Sequence, residues 1–88
     1  MSAVWKFGLA LEDLQTVVMP AGAELLTVQT QHGVPQLWAR VQPGRPKESR
    51  QIATFGTGHD MGDQPMKYLG SYQLSGGDLV FHVFEVLQ

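Results

Sequence analysis

Apolar and polar positions alternate with a period of two along most of this chain, the signature of strands whose successive side chains face opposite ways. In Val4-Trp5-Lys6-Phe7-Gly8-Leu9, Trp5, Phe7 and Leu9 share one face and Lys6 takes the other, which predicts a first strand. The residues around Glu12-Asp13 sustain no 3.6-residue period and read as a turn or a brief helical start. Leu14 to Met19 predicts a second strand, closed by a Pro20-Ala21-Gly22 turn. Leu25 to Gln31 and Val34 to Val41 flank His32-Gly33 and predict a hairpin. Leu26 and Val28 are expected on the dry face of its outgoing strand, and Leu37, Ala39 and Val41 on that of the returning one. Gln36, Trp38 and Arg40 take the opposite face, and Pro35 predicts an edge or a bulge. Gln42 to Ser49 reads as an exposed loop. Arg50 to Phe55 reads as a fifth strand, followed by a glycine-rich loop from Gly56 to Pro65.

The strongest signal lies at the C-terminal end. Tyr68 to Leu74 and Leu79 to Leu87 flank the turn cluster Ser75-Gly76-Gly77-Asp78 and predict a second hairpin. Leu79 to Leu87 is apolar on both faces, which suits a central strand covered once by the core and again by a loop, a second sheet or a partner. Some seven short, mostly antiparallel strands with regular turn signals predict an all-β fold, a β-sandwich or open barrel forming a single β domain over 1–88.

Composition narrows the function. With 88 residues, no cysteine and a hydrophobic share of 43%, the core is thin and unstapled, so a homo-oligomer is expected. A formal charge of −2 argues against general nucleic-acid binding, although Arg40, Arg45, Lys47 and Arg50 cluster. The chain shows no signal-peptide pattern and no apolar run long enough for a membrane span, so a cytoplasmic place is expected.

Candidate chemistry concentrates in Gly56-Thr57-Gly58-His59-Asp60-Met61-Gly62-Asp63. Its glycines could bring backbone N–H groups to a phosphate, or simply serve a tight connection. His59 with Asp60 and Asp63 could contribute to a metal site, but neither His32 nor His82 is placed near His59 by sequence, so no metal and no cofactor is expected. His82, mid-strand among Val and Phe, reads as a hydrogen-bonded core or interface histidine. Neither the serines nor the carboxylates show a catalytic arrangement, so no enzyme activity is expected. Trp38 beside Arg40 combines an aromatic plane with a guanidinium, a pairing suited to stacking and anion contact, or else covers a sheet face or fills a subunit interface. Arg50, His59, Lys67 and Tyr68 could join them.

Several stretches resemble a family of small bacteriophage and prophage proteins: Val-Trp-Lys-Phe at 4–7, Met-Pro-Ala-Gly-Ala-Glu at 19–24, Val-Gln-Thr-Gln-His-Gly-Val-Pro-Gln-Leu-Trp-Ala at 28–39, and Gly-Thr-Gly-His at 56–59. Tyr-Leu-Gly-Ser-Tyr-Gln-Leu at 68–74 and Leu-Val-Phe-His-Val-Phe-Glu at 79–85 continue the likeness. The resemblance implies a viral product acting in the cytoplasm of the infected bacterial host, and carries no catalytic or binding residues across. The expected function is a non-enzymatic binding protein that counters host defence by sequestering a small nucleotide-derived immune signal. Its expected pocket is Trp38, Arg40, Arg50, Gly56, Gly58, His59 and Tyr68, with glycine N–H groups and arginines on phosphate and aromatics on the base. The alternatives are direct binding of a host defence protein and a minor role in virion assembly.

Overall fold

A computed structural model describes residues 1–87 as an all-β domain. The strands are β1 (Ala3–Gly8), β2 (Leu14–Pro20), β3 (Glu24–Gln31), β4 (Val34–Val41), β5 (Lys47–Gly56), β6 (Met66–Leu74) and β7 (Leu79–Val86), with one 3₁₀ turn at Ser75–Gly77. They form two antiparallel sheets, a three-stranded one in the order β1-β4-β3 and a four-stranded one in the order β2-β5-β7-β6. No helix among the described residues is long and apolar enough to cross a membrane.

The sheets pack through their inner faces. Met19, Val28, Leu37, Val41, Ile52 and Val83 are fully buried between them, and burying each such side chain contributes roughly 1.5–3 kcal/mol. β3 packs alongside β6 without a ladder between them, so the barrel does not close. Both strands carry an irregularity at this seam, after Leu25 in β3 and after Tyr68 in β6. Gly70 is what lets them meet, because a Cβ there would lie 2.9 Å from the Val28 carbonyl oxygen and 3.0 Å from its nitrogen. At the opposite edge the Gln15 side chain ties β2 to the connection that follows β1, accepting from the Ala10 N–H and donating to the Ala10 carbonyl, both at 2.9 Å.

Local details correct three expectations. The bulge in β3 resets the alternation, so Leu25 and Val28 face the core while Leu26 is 44% exposed. β5 begins at Lys47, because Ser49, Glu48 and Lys47 pair with Val18, Met19 and Pro20; the exposed connection is correspondingly shorter. Pro35 lies in the central strand of its sheet and marks neither an edge nor the bulge. Its carbonyl accepts from the Leu9 N–H at 3.0 Å, so the missing donor points to the same side, where the β1 ladder has ended at Gly8. The β3–β4 hairpin turns through His32 and Gly33 at φ 51° and 76°, the geometry expected of a two-residue connection.

Candidate functional site

The seven candidate residues occupy separate places within one chain. Trp38 and Arg40 share the outer face of the three-stranded sheet, opposite Lys6 and Val4 of β1. Arg40 is exposed and its Nε donates to the Ser2 hydroxyl at 3.4 Å. Tyr68 lies on the outer face of the other sheet, 55% exposed. Gly56, Gly58 and His59 cluster where β5 ends. Arg50 points to the inner side and is committed to structure. Its Nε and Nη2 donate to the two oxygens of Glu85, and its Nη1 donates to the Ala23 carbonyl at 3.0 Å and to Glu48 at 3.4 Å. The bond from Glu85 holds the guanidinium still further above its ordinary pKa, with burial opposing. Arg50 therefore ties β5, β7 and the β2–β3 turn together.

Two arrangements that the residue pattern did not reveal stand out. The first covers the outer face of the four-stranded sheet. The ladder pairs place Leu14, Thr16 and Val18 of β2 beside Ser49, Gln51 and Ala53 of β5. Phe55, His82 and Phe84 continue the face, and Met66, Tyr68, Ser71 and Gln73 complete it across Val80 and Val86. None of these side chains is a carboxylate, an ammonium or a guanidinium. Lys47 stands at the far corner with its Nζ over the Trp5 ring, 5.2 Å from the centroid. Phe84 meets Phe55 and Tyr68 edge-on at centroid distances of 6.0 and 5.3 Å. Several of the polar atoms partner one another. Tyr68 OH lies 2.7 Å from Ser71 Oγ, Ser71 Oγ 2.7 Å from His82 Nδ1, and His82 Nε2 2.7 Å from Thr57 Oγ1. Thr16 and Gln51 bond each other as well. His82 is thus a hydrogen-bonded histidine with both ring nitrogens engaged. Ser71 and His82 touch as a nucleophile and base would, but a threonine rather than a carboxylate holds the second nitrogen.

The second arrangement is a cavity of about 110 Å³ at the end of the sandwich. Leu11, Glu12 and Asp13 of the β1–β2 connection, Thr54 and Gly56 of β5, His59, Tyr72 and Phe81 line it. The Asp13 carbonyl accepts from the Thr54 N–H at 2.9 Å and fixes the acidic loop against β5. The His59 N–H donates to the Gly56 carbonyl at 3.1 Å, and a Cβ on Gly56 would sit 3.0 Å from the imidazole, so glycine is what lets the ring fold over the strand end. Among the described residues no group of three or more His, Cys, Asp or Glu is arranged to hold a metal ion. Asp60 instead accepts from the Gly62 N–H at 3.0 Å, closing its own turn.

A family model described as Domain of unknown function (DUF7352) matches residues 1–88. The chain belongs to that family. No curated protein and no solved structure matches it. Membership in DUF7352 therefore assigns no chemistry, and the reading of function rests on the two arrangements above. The hydrogen-bonded row had one sequence signal: centring the C-terminal hairpin on Gly76-Gly77 places Ser71 opposite His82. The bulge at Leu69, which brings Tyr68 within reach of Ser71, had none.

Proposed function

We propose that this chain is a non-enzymatic binding protein that docks a partner protein flat against the outer face of its four-stranded sheet. The observation that carries this reading is a face whose corner residue Lys47 turns its ammonium over Trp5, whose other side chains carry no charge, and whose aromatic residues lie beside polar groups bonded to each other. Drying such a surface leaves few donors or acceptors unpaired, and interface centres are typically depleted in charge and enriched in Tyr, Phe and Met. Strand spacing gives the face roughly 400–500 Å², a size at which exposed patches on small proteins are often functional. In the bacteriophage setting implied by the sequence resemblance, the partner is a host defence protein in the cytoplasm of the infected cell. Sequestration of a nucleotide-derived signal has less support, because one chain does not gather the seven candidate residues and Arg50 has its donors occupied. That reading requires a second copy to complete the pocket.

A photo-crosslinking residue placed at Val18 or Tyr68, with Gln36 on the other sheet as control, tests the proposal in infected cells. The expected result is a crosslink to one host protein from Val18 and Tyr68 and none from Gln36. Equal capture from both faces would overturn it. Crosslinks only between copies of the chain would make the face a homo-oligomer interface, and a nucleotide mass retained by the native protein would restore the sequestration reading.

A further inference from the structure

The cavity at the end of the sandwich lies apart from the neutral sheet face and has its own chemistry. Its volume, about 110 Å³, is well below the roughly 300 Å³ at which pockets begin to enclose drug-sized ligands. It suits the end of a side chain or a small amine. Tyr72 and Phe81 form its aromatic wall, with ring centroids 5.4 Å apart and planes tilted by 36°. Such faces attract cations as well as alkyl groups. Glu12 and Asp13 line the cavity, and neither lysine nor arginine does.

A second observation concerns Tyr72, which is only 4% exposed. Its hydroxyl has no hydrogen-bond partner among the described residues, and burial alone pushes the phenol above its ordinary pKa. Among the described residues no buried side-chain nitrogen or oxygen is both dry and unpaired, so this hydroxyl reaches solvent, and Tyr72 lines the cavity. Thr54, 8% exposed, lines the same space with its own side chain unpartnered among the described residues. The two hydroxyls can accept from an ammonium group, and Glu12 and Asp13 add opposite charge to the lining. A bare metal ion fits less well, since the His and acidic residues present no group of three arranged to hold one.

We propose that this cavity binds a primary alkylammonium group, supplied by a free amine or by a lysine side chain of a partner protein. The alkyl stem lies against Tyr72 and Phe81, and the ammonium donates to the Tyr72 and Thr54 hydroxyls in the field of Glu12 and Asp13. The site operates independently of docking on the sheet face.

Amide NMR titration of the full chain tests this, with n-butylammonium as the probe and 1-butanol and butyrate as controls of the same length. Saturable shifts at Thr54, Gly56 and Tyr72 are expected with n-butylammonium, with 1-butanol about tenfold weaker and butyrate silent. The double variant E12Q/D13N should weaken n-butylammonium about tenfold at unchanged melting temperature, and Tyr72→Phe should weaken it as well. Nα-acetyl-lysine amide distinguishes the sources: binding at least as tight as n-butylammonium points to a partner's lysine, and weaker binding points to a free amine. Equal affinity for 1-butanol and n-butylammonium in the unaltered protein, an unchanged affinity in E12Q/D13N, or no saturable shift would overturn the proposal.

Discussion

The two sheets of this domain show water very different outer faces. On the three-stranded sheet, Lys6 stands opposite Trp38, Glu24 opposite Arg40, and Gln29 opposite Gln36. Both signs of charge are present, and Lys6 Nζ and Arg40 Nε reach along the surface to Gln31 and Ser2. On the four-stranded sheet the positions beyond the corner residue Lys47 are neutral, and a row of hydrogen bonds runs from Tyr68 through Ser71 and His82 to Thr57. An exposed aromatic is therefore a poor guide by itself. Trp38 sits among charges that keep their water, whereas Tyr68 and Phe84 sit where little polar surface has to be stripped.

This contrast exists only while the sheets stay locked back to back. Gly70→Ala forces a methyl into the Val28 backbone, which cannot move aside as a flexible side chain would. A loss of about 2–3 kcal/mol in urea denaturation is expected from such overpacking. Phe84→Ala strikes the neutral face directly by removing the ring that Phe55 and Tyr68 pack against. Because Phe84 is half-buried, the expected cost is about 2 kcal/mol, less than for a fully buried phenylalanine, together with loss of the position-18 crosslink. His82→Ala removes one partner of Ser71, which keeps Tyr68, and the partner of Thr57. In the free protein these regain water, so the cost should be near 1 kcal/mol, and it should rise when a partner excludes that water, which denaturation with and without the captured partner would show.

Two tyrosines on β6 sharpen the contrast between inside and outside. Tyr72 is buried and its phenol pKa is raised. The neutral phenol is the form the fold accommodates, so this contribution is complete below about pH 10, the ordinary tyrosine value, and is lost as pH climbs through the higher folded-state value. Melting temperatures across that alkaline range should decline, and Tyr72→Phe should remove the Tyr72 part of the decline. The smallest effects on stability come from adding charge at the surface. Val18→Arg and Gln36→Arg should each stay within about 0.5 kcal/mol of the unaltered protein. Only Val18→Arg, on the neutral face, should abolish docking, as read by the Tyr68 crosslink.

Much of the fold was legible because alternation and turn chemistry are local. The two hairpins, the buried face of β4 and the all-β class follow from residues near one another in the chain. Leu26 shows where local reading stops: a bulge moves it to the surface, and nothing in Leu25-Leu26-Thr27 announces the bulge before β6 packs beside β3. The candidate site was less legible for the same reason. Trp38 and Arg40 do share a face, since they are two residues apart on one strand. Nothing local marks Arg50 as paired, because its partner Glu85 lies 35 positions away. The end cavity joins Glu12 to Thr54, Tyr72 and Phe81 across four segments, and no spacing rule connects them.

Period-two patterning, glycine placement and the absence of cysteine dictate a small antiparallel β domain whose last strand is apolar on both faces. They do so because side-chain alternation and turn backbone angles depend on immediate neighbours. Which face stays neutral, which arginine is already paired and where a cavity opens are set only when strands distant in the chain come into register. Those features are sums over cross-strand partners, and a partner acquires an identity only when the sheets have formed.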